Sequence, residues 1–162
     1  MYDLIILGAG PAGMTAAIYG ARYGLSVLLI EKTAVGGQMN LTATIENYPG
    51  FDEPISGYVL STRMLTQIEH LGVDIKYTEV IELSLLSEVK IVKTEEGSFE
   101  GKTIILAMGA SPKKLGIKGE NTFLGRGVSY CGTCDAPLFK NKIVASIGGG
   151  DTALEESIIL AQ

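Results

Sequence analysis

The stretch that most constrains this chain is Gly8-Ala9-Gly10-Pro11-Ala12-Gly13, directly behind the apolar run of residues 2–7. G-x-G-x-x-G between a strand and a helix is the turn of a dinucleotide-binding βαβ unit. Gly8 permits the tight turn, Gly10 lets a pyrophosphate approach the backbone, and Gly13 lets helix and strand pack closely. The helix read over residues 14–23 offers free N–H groups and the positive end of its dipole to phosphates, and Gly24 stops it. A second strand over 26–30 ends at Glu31, an acidic residue placed to accept a hydrogen bond from a ribose hydroxyl. The competing reading of the same residues is an ordinary glycine turn before a helix.

The rest of the chain supports one α/β reading. Residues 36–50 are loop-rich, with Gly36-Gly37-Gln38 at one end and Asn47-Tyr48-Pro49-Gly50 at the other. Leu60, Met64, Ile68 and Leu71 recur at helical spacing over 56–71 and Gly72 ends the run, so a strand is expected over 73–77. Residues 89–92 and 98–100 flank Glu95-Glu96-Gly97 and read as a hairpin, a small antiparallel layer beside a parallel sheet. Residues 103–107 form a buried strand closed by Met108-Gly109-Ala110. Linker composition over 110–119 puts a domain boundary near residue 112, giving domains of 1–112 and 113–162. His70 reads as a solvated residue near a helix end, and Lys113-Lys114 and Glu155-Glu156 as exposed charge.

Past the linker the pattern restarts. A strand over 142–147 leads into Gly148-Gly149-Gly150-Asp151-Thr152-Ala153 and a helix to the last residue, with Leu154, Ile158 and Ala161 on its buried face. Gly148-x-Gly150-x-x-Ala153 is a second dinucleotide turn, since alanine satisfies the packing role of the third glycine; the alternative is a structural turn. The helix carries no stop signal, and a βα pair without a returning strand leaves apolar faces uncovered. The sequence therefore reads as stopping in mid-domain.

Between the linker and that turn lies Cys131-Gly132-Thr133-Cys134-Asp135, which holds both cysteines of the chain. C-x-x-C at a helix start brings two sulfurs within disulfide reach and lowers one thiol's pKa. Asp135 is placed to exchange a proton with a thiolate. The alternatives are two inert cysteines or half of a zinc site. Zinc needs four ligands, and the one histidine is the distant His70, so no metal is expected.

Composition excludes several classes. A net charge of −5 and pI near 4.9 argue against a nucleic-acid partner. Hydrophobic content of 46% excludes disorder. Apolar runs are too short to span a membrane, and Met1-Tyr2-Asp3 has no basic region of the kind a secretory leader carries. The expectation is a cytoplasmic protein without membrane contact.

Two dinucleotide turns with C-x-x-C-D between them resemble the low-molecular-weight thioredoxin reductases over the whole chain. The matching stretches are residues 8–13, 36–38, 46–50, 107–110, 127–135 and 148–153. The resemblance implies a Rossmann-like FAD-binding domain followed by the start of a Rossmann-like NAD(P)-binding domain. Gly8, Gly10, Pro11, Ala12, Gly13, Glu31, Lys32, Gly36, Gly37, Gln38, Asn47, Val80, Ala107 and Gly109 would surround FAD. Gly148, Gly149, Gly150, Asp151, Thr152 and Ala153 would begin the NADPH site. Electrons would pass from NADPH through FAD to Cys131–Cys134, with Cys134 facing the flavin. Cys131 would attack a thioredoxin disulfide with Asp135 as general acid, in a protein that works as a homodimer. Met108 stands where the family usually has Thr, and Gly132 and Ala136 where Ala and Gly are commoner. Family members run to about twice this length, so the chain is not expected to complete the cycle alone. The rivals are a flavoprotein of a peroxide-reducing system, a ferredoxin-linked reductase, and a flavin-binding module without chemistry.

Overall fold

The computed structural model describes residues 1–42 and 44–161; the side chains of Leu41 and Thr133 lie outside the description, as does Gln162, where the sequence ends its last helix. The chain divides into two units, residues 1–110 and 111–162.

The first unit is a six-stranded mixed sheet with helices α1 (Pro11–Arg22) and α2 (Gly57–His70). Its strands are β1 (Tyr2–Leu7), β2 (Val27–Glu31), β3 (Asp74–Tyr77), β4 (Val80–Ser84), β5 (Lys90–Thr94) and β6 (Gly97–Leu106), in the spatial order β3-β2-β1-β6-β5-β4. The pairs β3–β2, β2–β1 and β1–β6 are parallel, with Ile5 opposite both Leu28 and Ile104. The pairs β6–β5 and β5–β4 are antiparallel. The chain leaves β1 toward β2 on one side and returns to it through β6 on the other. A topological switch point therefore falls at the carboxyl end of β1, where open α/β sheets place their ligands.

The strand period of two divides β1 between two cores. Leu4 and Ile6 join Met14 and Ala17 of α1, and Leu60, Met64 and Ile68 of α2, on the helical side. Ile5 and Leu7 join Leu28, Ile30 and Val92 on the other. Proline at the first helical position opens α1 three residues earlier than apolar spacing alone suggests. Ser56 caps α2, its Oγ accepting the Val59 N–H at 3.2 Å. Leu71, grouped with the core positions by spacing, is the capping residue and is exposed.

Two sequence expectations change here. The hairpin arm 98–100 and the strand 103–107 are one ten-residue strand, β6. Gly101 is the shared residue, opposite Lys90 on one side and Tyr2 on the other. The antiparallel strands thus continue the same sheet, which curls until Val92 is buried against Ile5 and Leu7.

The second unit contains α3 (Gly132–Asp135), a 3-10 turn over Ala136–Phe139 and α4 (Asp151–Leu160). The strand expected over 142–147 is not formed: those residues carry neither helix nor strand, and Ile143 and Ile147 are exposed. Strand geometry needs a ladder partner, and no named strand lies in this unit among the described residues. The expected buried face of α4 is likewise overturned. Leu154, Ile158 and Ala161 are exposed, since no named strand lies in this unit among the described residues to cover them, while Ala153, Glu156, Ser157 and Leu160 are the partly covered positions.

Candidate functional site

At the switch point the first unit gathers most of its sequence-nominated residues. Gly8 follows β1 at φ +101°, and a Cβ there would overlap the Ala107 carbonyl oxygen just beyond β6. A Cβ on Gly13 would overlap the Gly8 carbonyl oxygen, so helix and turn meet at a distance only glycine allows. Gly10, by contrast, has nothing within 4 Å of its would-be Cβ. No side chain caps α1, whose N-terminus at Gly10, Pro11 and Ala12 stays open to an anion.

The neighbouring loop is tied to this turn. The Gly36 N–H donates to the Ala9 carbonyl at 2.7 Å, and a Cβ on Gly37 would lie 3.5 Å from Gly10 Cα. The Gln38 amide donates to the Ala110 carbonyl at 3.1 Å. Asn40, which sequence reasoning missed, fixes the loop from below. Its amide donates to the Val35 carbonyl at 2.6 Å while its oxygen accepts the Ser61 hydroxyl at 2.7 Å. No periodicity marks a lone Asn as such a strut.

Glu31 sits at the end of β2 with both carboxylate oxygens engaged. Oε2 accepts the Ala9 N–H at 2.8 Å and Oε1 the Thr33 N–H at 3.0 Å. Each oxygen retains lone-pair capacity, so a ribose hydroxyl can still be accepted. Lys32 forms an exposed ion pair with Glu79 at 2.6 Å, which pushes the lysine pKa up, chiefly through that hydrogen bond. The Thr78 N–H donates to the Glu31 carbonyl at 2.9 Å, bringing the start of β4 at Val80 to the same end of the sheet. Gly109 follows Ala107 at φ +66°. Asn47 lies in the loop spanned by the Ile45–Ile55 bridge, apart from the hydrogen bonds that tie the Gly36–Gln38 loop to the glycine turn.

In the second unit Cys131 and Cys134 form a disulfide. Cys131 is the cap of α3, its Sγ accepting the Cys134 N–H at 3.2 Å. A backbone donor at sulfur favours the thiolate once the bond is reduced. Cys131 is partly covered and Cys134 exposed. Asp135 donates its N–H to the Cys131 carbonyl at 3.1 Å, while its Oδ2 accepts the Ser129 hydroxyl at 2.5 Å. Among the described residues no cluster of three or more His, Cys, Asp or Glu side chains could hold a metal.

Two further residues brace this loop. Glu120 is buried, and its carboxylate accepts the Leu115 N–H at 2.8 Å, the Gly116 N–H at 2.7 Å and the Tyr130 hydroxyl. The Tyr130 hydroxyl above all, then the Leu115 N–H, holds the Glu120 carboxyl below the usual carboxylate range, and the same bond raises the Tyr130 phenol. Linker composition hid this clip in the sequence. Gly132 has its own reason: a Cβ there would overlap Glu156 Oε2 of α4. Glu156, expected to be exposed, is thus partly covered against the redox loop.

The second glycine turn repeats the first in outline. Gly148 has φ +149°, and its would-be Cβ lies 2.7 Å from Ala153 Cβ. Gly149 and Gly150 face open space, Gly150 caps α4 without a side-chain bond, and Asp151 and Thr152 occupy the first helical turn. The preceding strand that would anchor the turn is absent.

A dinucleotide-type glycine turn at the switch point of an α/β sheet, with a C-x-x-C disulfide in the same chain, defines a disulfide oxidoreductase class. The chain belongs to the pyridine nucleotide-disulphide oxidoreductase family, whose model matches residues 2–162. It is 48% identical to the thioredoxin reductase of Treponema pallidum over 99% of this chain and 52% of that protein. With the Bacillus subtilis thioredoxin reductase the identity is 46%, over all of this chain and 51% of the relative. The crystal structure of thioredoxin reductase from Streptococcus pyogenes aligns with a TM-score of 0.94 at 48% identity, covering 99% of this chain and 52% of that one. The chain thus spans about half the length of the relatives it matches and is a homologue of thioredoxin reductases.

Proposed function

We propose that this chain is the flavin-binding and disulfide-bearing part of a thioredoxin-disulfide reductase, carrying electrons from NADPH through FAD to Cys131–Cys134 and on to thioredoxin. The observation that carries the reading is the Cys131–Cys134 disulfide with Asp135 in the same turn, in a chain of this family. Bound FAD supplies hydride acceptance and electron transfer to a disulfide.

The residues of the first unit fit such a group. The open space at Gly10, the uncapped start of α1 and the remaining lone pairs of Glu31 provide for pyrophosphate and ribose. Gly8, Pro11, Ala12, Gly13, Lys32, Gly36, Gly37, Gln38, Asn47, Val80, Ala107 and Gly109 complete the proposed set. Gly148, Gly149, Gly150, Asp151, Thr152 and Ala153 are proposed for NADPH. In the redox loop Cys131 is the exchanging thiol, favoured by the Cys134 N–H, and Asp135 moves the proton. Homodimer assembly and a cytoplasmic setting belong to the same reading. Among the described residues no helix is long and apolar enough to cross a membrane.

NADPH-driven turnover is not expected of the 162 residues alone, because the second turn lacks its anchoring strand. The exchange half-reaction needs only the redox loop. The test reduces the chain with dithiothreitol, removes the reductant and mixes it with oxidised thioredoxin. The wild-type chain should transfer two electrons per molecule and recover its disulfide. Cys131→Ser should transfer none while keeping FAD binding. Persistent thioredoxin reduction by Cys131→Ser would refute the assignment of roles.

A further inference from the structure

We propose that Ser129 is a positioning residue that fixes the proton-carrying Asp135 against the Cys131 sulfur. The inference rests on the redox reading of Cys131–Cys134. One hydroxyl makes both connections. Its hydrogen goes to Asp135 Oδ2 at 2.5 Å, and its oxygen accepts the Cys131 N–H at 3.0 Å. The carboxylate and the sulfur-bearing residue are thereby held to one atom, while the Asp135 N–H closes the turn onto the Cys131 carbonyl at 3.1 Å. Among the described residues, Glu156 of α4 meets this loop at Gly132, Glu120 accepts the hydroxyl of Tyr130 beside Cys131, and Lys140 follows the 3-10 turn.

The chemistry explains why such a clamp matters. The Cys131 thiolate, favoured by the Cys134 N–H, forms in a fast equilibrium ahead of the attack, and its proton passes through solvent to Asp135. The Cys131 thiolate attacks one sulfur of the partner disulfide; a Cys131–partner bond forms and the partner's S–S bond breaks. The departing partner thiolate receives the proton held by Asp135. The Cys134 sulfur then attacks Cys131 and restores the 131–134 disulfide. The second partner thiolate leaves with the Cys134 proton. Two electrons pass from dithiol to disulfide. An acid acts efficiently only within hydrogen-bond reach of the leaving atom, and a carboxylate free to rotate loses that geometry.

The test uses the reduced 162-residue chain in single turnover with two oxidants. Oxidised thioredoxin releases a thiolate that needs a proton. Dithiobis(nitrobenzoate) releases one that leaves without help, because leaving ability follows the low pKa of the departing thiol. Ser129→Ala should slow thioredoxin reduction about tenfold, a part of what a general acid contributes, with the aromatic disulfide reacting at the wild-type rate. Ser129→Thr, which keeps the hydroxyl, should restore most of the loss. Ser129→Ala should add nothing in an Asp135→Asn background, since the two act as a unit. Equal slowing with both oxidants, no slowing, or full additivity with Asp135→Asn would overturn the role of Ser129. A wild-type chain that reacts with the aromatic disulfide yet leaves thioredoxin oxidised would instead overturn the parent reading, and this inference with it.

Discussion

Gly10 and Gly13 stand three residues apart and answer to different demands. A methyl group at 13 would run into the Gly8 carbonyl oxygen and approach Ala107 Cβ at 3.4 Å; a methyl group at 10 would meet nothing within 4 Å. Gly13→Ala should therefore lower stability by about 1–3 kcal/mol, an overpacking cost read as a reduced urea midpoint. Gly10→Ala should leave stability within about 0.5 kcal/mol of wild type and weaken FAD binding about tenfold or more, read by flavin fluorescence. Equal FAD affinity in Gly10→Ala would remove the pyrophosphate from that turn. At this scale the sequence was most legible. The glycines, Glu31 and the cysteine pair are marked by spacing, which is local information. Ser129, Asn40 and Glu120 carry no such mark, because each takes its meaning from a partner that only the folded chain brings near.

At the level of elements, the segment leading into the redox loop is held to the linker by one carboxylate, Glu120, through Tyr130, Leu115 and Gly116. The fold lowers its pKa, so it favours the charged form. Its stabilisation is complete above the unfolded carboxyl's value, about pH 4.3, and is lost as pH falls through the lower folded value. The near-ultraviolet dichroism of Tyr130 should hold steady from neutrality to about pH 5 and fade below about pH 4. Glu120→Gln should abolish that acid limb. An unchanged limb would show that another group governs it. The α1 and α2 helices were readable because Leu60, Met64 and Ile68 repeat at helical spacing and Gly24 and Gly72 end the runs. The continuity of β6 was not, since Gly101 looks like a break until both neighbouring strands are seen to share it. The strand over 142–147 failed for the reciprocal reason: its composition is right, and its partner is missing.

For the whole molecule, the apolar core is unevenly shared. Ile5, Ile6, Leu28 and Leu29 are fully buried, whereas α4 buries no residue and Glu120 is the buried side chain of the second unit among the described residues. Stability follows buried apolar area, so the two units should open at different free energies. Hydrogen exchange should find β1 and β2 amides released only by global unfolding, with α4 amides exchanging orders of magnitude faster. Matching protection in β1 and α4 would contradict this.

The bare residues around Ile143 carry a cost of their own. Ile143, Val144 and Ile147 are β-branched, turned to water and without a ladder. A second molecule offering the same stretch could supply one, so crowding favours sticking of chain to chain, as at any unprotected sheet margin. Lys140 and Lys142, just ahead of it, put two positive charges at the head of the stretch, the kind of flank that opposes such pairing.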